Sequence, residues 1–118
     1  MQNQIQKLIK NSKNPKFIRG VFEFAKETYG NKKTPWNEDY ISHVAGVATI
    51  LDQLGLDQKT TAAGILHDAL DISSLKKEDT LREIEKRFGQ DIAEMIEKFS
   101  EVKRIYFPFS IEKNEEFF

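Results

Sequence analysis

The chain has no cysteine, and its 118 residues include only three prolines, six glycines and one tryptophan. The lack of thiols excludes disulfide bonds and thiolate metal sites, and it suits the reducing cytoplasm, where we expect the protein. No apolar run approaches the roughly 20 residues that span a bilayer, and the first residues hold no apolar segment typical of a signal peptide. These absences predict a single soluble domain over residues 1–118 with no membrane partner.

The net charge is only −1, but it is distributed unevenly along the chain. Residues 1–36 carry eight Lys and Arg against two acids, whereas residues 37–118 carry ten against seventeen acids. One interpretation is a set of solvated helix faces, and the other is a basic part that faces an anionic ligand bound near the acidic part. The basic residues form no dense block, so we expect no nucleic-acid partner.

Apolar residues recur at helical spacing through most of the chain, and no strand pattern is convincing. Asn14 and Pro15 are suited to begin a helix that Gly30 ends, and the polar residues 31–39 are typical of a loop. The other helices are predicted around Ile5, Leu8 and Ile9, and over residues 40–55, 58–70, 81–89 and 90–105. The sequence therefore predicts an all-α domain of five to seven short helices.

The boundaries and faces of these helices can also be predicted. Asp57 is the expected N-cap of the helix over residues 58–70, and Thr80 with Glu83 forms the expected capping box of the next helix. The buried face of the helix over residues 40–55 is predicted to be Val44, Val47, Ile50, Leu51 and Leu54. The buried face of the helix over residues 90–105 is predicted to be Ile92, Met95, Ile96, Phe99 and Val102.

The stretch "ILHDALDIS" contains the residues best suited to chemistry. His67 and Asp68 are adjacent, Asp71 follows, and the only other histidine, His43, lies 24 residues earlier on another predicted helix. Imidazole and carboxylate together suit a divalent metal such as manganese or iron, with zinc as an alternative. Because adjacent helical side chains diverge by about 100°, the pair can share an ion only near a helix end or if one side chain swings round. Ordinary hydrogen-bonded histidines are the other interpretation.

The segment "YISHVAGVATILDQLGLDQKTTAAGILHDAL" resembles the N-terminal HD hydrolase domain of the RelA/SpoT family, whose enzymes make and degrade guanosine tetra- and pentaphosphate. That family has Tyr-Ile-x-His, an apolar helix, a Leu-Gly-Leu-Asp-like turn, an Ala-Ala helix and then His-Asp. The segments "VFEFAKETYGNKK" and "TLREIEKRFGQDIAEMIEKFSEVKRI" are also similar to the family. The resemblance covers about residues 17–105.

This resemblance implies an HD-type helical bundle and a manganese-dependent 3′-pyrophosphohydrolase that releases pyrophosphate from a guanosine polyphosphate. It places His43, His67 and Asp68 on metal-ligand positions. Asp71 falls where the family has the Glu that helps to activate the attacking water. Asp68 and Asp71 are therefore the expected catalytic carboxylates.

The resemblance also implies a nucleotide site in the loop over residues 31–39, where the family stacks a basic residue on guanine. Thr34 stands at the position of that basic residue. Lys32 or Lys33 can approach the same role, although an ammonium group stacks less well than a planar guanidinium. Trp36 is another candidate for stacking on the base, and its alternative role is to cover the edge of the core.

Several departures from the family predict weak or absent catalysis. Ile72 replaces the second acid of the family motif, and the Asp71 carboxylate lies about 1.5 Å further back than a Glu would, which costs a general base much of its rate. Glu78 and Asp79 either supply the missing acid or help to begin the next helix. The family's fourth metal ligand, an Asp in an Ala-Asp-Arg-Leu-His-Asn motif, has no counterpart, so we expect the C-terminal part of the domain to be missing.

Two further expectations follow from these departures. A non-catalytic HD module that binds a nucleotide or a regulatory partner is the alternative function, and a purely structural helical domain is a third. Loss of the covering helices is expected to expose the aromatic residues near the end of the chain, which favours homo-oligomers. These aromatic residues are Phe107, Phe109, Phe117 and Phe118.

Overall fold

The computed structural model describes residues 2–106, and the side chains of residues 4–102. Its helices are α1 (Gln2–Asn11), α2 (Pro15–Tyr29), α3 (Tyr40–Gln53), α4 (Gln58–Leu66), α5 (Ala69–Ile72), α6 (Lys77–Phe88) and α7 (Gln90–Tyr106). Lys33 and Asp39 form an isolated β-bridge, and the described residues contain no strand. The all-α prediction of five to seven helices is thus confirmed. The aromatic residues from Phe107 onward lie outside the described residues.

The core forms around α4, which packs against α2, α3 and α7, while α6 packs against α5 and α7. The small residues of α4 allow this close approach, as at Ala62, which is fully buried. Gly64 is the closest case, because a Cβ there would lie 2.4 Å from the Leu51 Cδ1 atom of α3. Within the described residues, no helix is long and apolar enough to cross a membrane.

The helix boundaries that depend on local chemistry lie where the sequence predicts them. The Asn14 side chain accepts a hydrogen bond from the Phe17 amide at 3.2 Å, and Gly30 ends α2 with a φ of 53°. Asp57 caps α4 by accepting from the Thr60 amide at 2.7 Å. These boundaries were predictable because capping depends on residues within one turn.

The predicted capping box at Thr80 is wrong, because α6 begins three residues earlier, at Lys77. Thr80 lies inside the helix and is buried, and its hydroxyl donates to the Ser73 Oγ atom at 3.0 Å. The threonine therefore ties α6 to the loop after α5. A pattern of local residues cannot distinguish this tertiary contact from a cap.

The predicted buried faces of α3 and α7 are only partly correct. In α3, Val44 is buried, but Ile50 and Leu54 are 58% and 69% exposed. The buried residues of α3 are Tyr40, Ile41, Val44, Ala45 and Ala48. In α7, the buried side chains are Ile92, Ala93, Ile96 and Ser100, whereas Met95, Phe99 and Val102 are exposed. Small side chains let neighbouring helices approach, so the contact follows the alanines rather than the largest apolar residues.

Candidate functional site

A break between two helices brings His67 and Asp68 together. The predicted helix over residues 58–70 is interrupted, since α4 ends at Leu66 and α5 begins at Ala69. Asp68 has φ −96° and ψ 1°, which lies in the sparsely populated bridge region. The His67 Nε2 atom is 3.0 Å from the Asp68 Oδ2 atom. The pair thus stands at a helix end, as a shared ligand requires.

The surroundings of the His67 ring determine which nitrogen carries a proton. Its Nδ1 atom is 2.6 Å from the Gly64 carbonyl oxygen. A carbonyl oxygen only accepts hydrogen bonds, so Nδ1 must donate and Nε2 faces the Asp68 carboxylate. Two acceptors 3.0 Å apart require a proton or a cation beside them. This pair of donor atoms fits a divalent cation, because metal-binding histidines commonly donate their other N–H to a carbonyl or carboxylate.

Two buried tyrosines lie behind the Asp68 carboxylate. The Tyr40 hydroxyl donates to Asp68 Oδ2 at 2.8 Å, and the Tyr40 ring stacks on Tyr29 with centroids 5.0 Å apart. The Tyr29 hydroxyl donates to the Ile65 carbonyl at 2.8 Å. Burial, and then the nearby charge of Asp68, raise the pKa of Tyr29 well above its usual value. Sequence reasoning missed Tyr40, although its position one turn before His43 on α3 places both on one helix face.

His43 lies next to Tyr40, whose hydroxyl donates to Asp68. Its ring contacts the Tyr40 ring at 5.8 Å and the Trp36 ring at 5.3 Å, and both contacts are edge-to-face. Its Nδ1 atom is 3.7 Å from the Glu38 Oε1 atom. Among the described residues, no three His, Asp or Glu side chains form a group that could hold a metal ion. That His43 binds a metal ion as a third ligand therefore stays a prediction.

Asp71 forms an ion pair with Lys77. Its Oδ1 atom is 3.3 Å from the Lys77 ammonium group at the start of α6. Ile72, which replaces the second acid, is half-buried against the core. The Lys32 ammonium group donates to the Ile72 carbonyl, so Lys32 contacts the end of α5 in this structure. The roles of Asp71 as a catalytic acid and of Lys32 at the nucleotide stay predictions.

The two acids considered as substitutes for the missing one lie in the first turn of α6. Glu78 and Asp79 are both exposed, and Asp79 pairs with Arg82 at 3.4 Å. Acidic residues in a first turn stabilise a helix through its dipole. The position of these acids thus favours their structural role at the start of α6.

The loop over residues 31–39 forms a tight turn beside His43. The Thr34 amide donates to the Glu38 carbonyl at 2.8 Å, and the Glu38 amide donates to the buried Thr34 hydroxyl at 3.1 Å. Trp36 is 50% exposed, and its indole N–H donates to the Glu38 carboxylate at 3.1 Å. Lys33 pairs with Asp39 at 3.0 Å. Half of the Trp36 surface therefore remains accessible to a planar ligand next to His43.

Comparison with known proteins identifies a family. Residues 21–116 match the family model described as "HD domain". The chain is 33% identical over 106 residues to the guanosine-3′,5′-bis(diphosphate) 3′-pyrophosphohydrolase of Aquifex aeolicus. This alignment covers 89% of this chain and 15% of the Aquifex protein. No solved structure matches the chain at a significant level.

Two other relatives have similar names. The chain is 29% identical over 92 residues to the bifunctional (p)ppGpp synthase/hydrolase SpoT of Escherichia coli, and 28% identical over 92 residues to the GTP pyrophosphokinase rsh of Brucella ovis. Both alignments cover 78% of this chain and 12% of the relative. The chain thus spans between 12% and 15% of the length of these three relatives.

Proposed function

Because this chain belongs to the HD-domain family, we propose that it is a metal-dependent phosphohydrolase domain that binds a guanosine 3′-polyphosphate and hydrolyses it slowly. The printed names of the Aquifex and Escherichia relatives supply the substrate class. Most of this chain resembles part of the 3′-pyrophosphohydrolase of RelA/SpoT proteins. The expected products are pyrophosphate and GDP or GTP.

One observation carries this proposal. His67 Nε2 and Asp68 Oδ2 lie 3.0 Å apart at a helix end, while the Gly64 carbonyl holds the proton of the other ring nitrogen. This arrangement brings the Nε2 nitrogen and a carboxylate oxygen to the same point, and the two form the donor set of a divalent cation once the proton beside them has left. Manganese is the first expectation, and His43 is the third ligand that we propose.

The protein's own residues would orient the substrate and the water. A divalent cation at His67 and Asp68 would lower the pKa of a bound water towards neutrality. Asp71 is the residue that we propose to accept a proton from that water. Its Oδ1 atom lies 3.3 Å from the Lys77 ammonium group, so the carboxylate is already in an ion pair. The apolar Ile72 side chain cannot accept the proton in its place. Slow turnover follows from these two features.

We propose that the nucleotide base approaches the loop over residues 31–39. Trp36 is half-exposed and lies edge-on to His43, so its free face can stack on a guanine ring. Lys33 is paired with Asp39 on an exposed surface and can turn towards a phosphate at little cost, because such ion pairs are weak. Lys32 would first have to leave the Ile72 carbonyl.

A non-catalytic module that binds the same nucleotide is the second candidate function. The ion pair between Asp71 and Lys77 favours it, because it occupies the carboxylate that would accept the proton. Binding without hydrolysis would suit a regulatory domain. The two candidates share the cation and the nucleotide, and they differ only in turnover.

The test is to titrate the chain with Mn²⁺ and then to measure pyrophosphate release from guanosine tetraphosphate. Binding with slow release that is lost in Asp68→Asn supports the enzyme, because this variant keeps the shape and removes the charge. Binding of Mn²⁺ and nucleotide with no release above the Asp68→Asn background supports the non-catalytic module. A chain that binds neither Mn²⁺ nor nucleotide would contradict both.

Two wider proposals concern the environment of the domain. The absence of cysteine suits a reducing compartment, and we extend the proposal to a cytoplasmic location. We also propose that copies of the chain associate through its C-terminal part. The exposed residues Met95, Phe99 and Val102 form an apolar stripe along α7, and the sequence after Tyr106 adds four phenylalanines.

A further inference from the structure

The Asp68 carboxylate is buried, and a tyrosine from another helix holds it. Asp68 is 4% exposed and Tyr40 is also 4% exposed. The Tyr40 hydroxyl reaches Asp68 Oδ2 at 2.8 Å from the first residue of α3, 28 positions earlier in the chain. This oxygen is the same one that lies 3.0 Å from His67 Nε2. A single carboxylate oxygen thus receives the phenol and faces the imidazole.

The position of Asp68 makes such support necessary. It lies between α4 and α5 with a backbone conformation outside the helical region, so no regular helix fixes its side chain. A buried carboxylate without a hydrogen-bond donor is unfavourable, and a neutral phenol can donate without neutralising the charge. The Tyr40 ring is itself fixed by stacking on Tyr29 at 5.0 Å, and the Tyr29 hydroxyl is bonded to the α4 backbone at Ile65.

We propose that Tyr40 is a positioning residue that holds the Asp68 carboxylate beside His67, which prepares the pair to bind a divalent cation. This inference rests on the proposed function. Tyr40 does not contact the cation or the substrate in this proposal, because its hydroxyl acts through Asp68. Hydrogen-bond partners of metal ligands typically contribute about 10–100-fold to metal affinity. Tyr40 therefore makes the cation site depend on the packing of α3 against α4.

The stacked tyrosines provide a matched pair of variants for the test. Tyr40→Phe removes the hydroxyl that donates to the Asp68 carboxylate, whereas Tyr29→Phe removes the neighbouring buried hydroxyl, which bonds to the Ile65 carbonyl and to the Asp68 backbone. Both variants keep the stacked rings. Mn²⁺ affinity is measured by electron paramagnetic resonance of the free ion, and folding of each variant by circular dichroism and thermal unfolding.

The expected result is Mn²⁺ binding weakened about 10–100-fold in Tyr40→Phe and nearly unchanged in Tyr29→Phe. Equal affinity in Tyr40→Phe and wild type would overturn the proposal. Equal losses in both variants would also overturn it, because the effect would then not depend on the hydrogen bond to the Asp68 carboxylate.

A measurement without metal separates this proposal from the proposed function. Nitrogen-15 NMR of the His67 ring reports whether its Nε2 atom still faces the Asp68 carboxylate. If wild type binds no Mn²⁺, the proposed function fails, but an Nε2 signal that moves in Tyr40→Phe and not in Tyr29→Phe still supports the positioning role. An Nε2 signal that stays unchanged in Tyr40→Phe would refute that role in metal-free protein.

Discussion

At the scale of single residues, the chemistry of the site depends on one buried charge. Asp68 is the only buried charged side chain among those described, and it contacts both His67 and Tyr40. Its effect extends to Tyr29, whose pKa it helps to raise after the larger effect of burial. Asp71, the acid that we propose as the proton acceptor, forms an ion pair with Lys77, and the apolar Ile72 follows it in the chain.

Restoring the family acids should increase turnover. We expect the double variant Asp71→Glu with Ile72→Asp to raise kcat about 100-fold or more, because general acid–base catalysis typically contributes 10²–10⁴-fold. Ile72 packs against the core, so the change should also cost about 1–2 kcal/mol of unfolding free energy. Pyrophosphate release and urea unfolding measure the two effects. An unchanged kcat with Mn²⁺ bound would mean that these positions do not limit the rate.

Tyr29 predicts how stability depends on alkaline pH. Because its pKa is raised in the folded state, the unfolded chain loses the phenolic proton first, near the ordinary pKa of about 10. The contribution of Tyr29 to stability is thus complete below pH 10 and declines as the pH rises above it. Tyr29→Phe should cost about 1 kcal/mol at pH 7 through loss of the bond to Ile65, and this difference should narrow between pH 9 and 11. Urea unfolding across this range measures it, and a constant difference would contradict the assignment.

At the scale of helices, the bundle depends on how closely α3 and α4 approach. Gly64 of α4 faces Leu51, whereas Gly46 of α3 has no atom within 4 Å of an added Cβ position. The two glycines therefore differ in what they contribute. The first makes room for a neighbouring side chain, and the second only lowers the helix propensity of α3.

Alanine substitution at these two glycines should change the stability of the protein in different ways. Gly46→Ala should stabilise the protein by about 0.5–1 kcal/mol, because alanine costs less backbone entropy in a helix. Gly64→Ala should give no gain or a loss of about 1–3 kcal/mol, because its Cβ would lie 2.4 Å from Leu51 Cδ1 and that side chain must move. Thermal unfolding of both variants tests this, and equal stabilisation would show that Leu51 repacks freely.

At the scale of the whole molecule, α7 has an exposed apolar surface among the described residues. Met95, Phe99 and Val102 are between 37% and 46% exposed, and they lie on the same side of the helix. Phe99 also contacts the His67 ring edge-on at 5.4 Å. The candidate site and the proposed surface for association are thus neighbours.

We expect the mass of the protein in solution to rise with concentration because of this surface. The double variant Met95→Lys with Val102→Lys should shift the equilibrium towards monomer by placing charges on the stripe. Leu54→Lys is the control, since Leu54 is an apolar residue that is 69% exposed at the end of α3 and not part of the stripe. Sedimentation equilibrium measures the masses. A wild-type monomer in solution scattering at high concentration, or an equal effect of Leu54→Lys, would refute association through α7.

The sequence by itself determined what depends on neighbouring residues and on residue type. The helical class, the cap at Asp57 and the end of α2 at Gly30 all follow from local chemistry, whereas the choice of His67 and Asp68 as metal ligands depends on the family resemblance and stays a prediction. Only the tertiary structure decided where Thr80 lies, which faces of α3 and α7 are buried, and that Tyr40 reaches Asp68. These features join residues distant in the chain, and their energies come from packing and burial, which a local pattern does not encode.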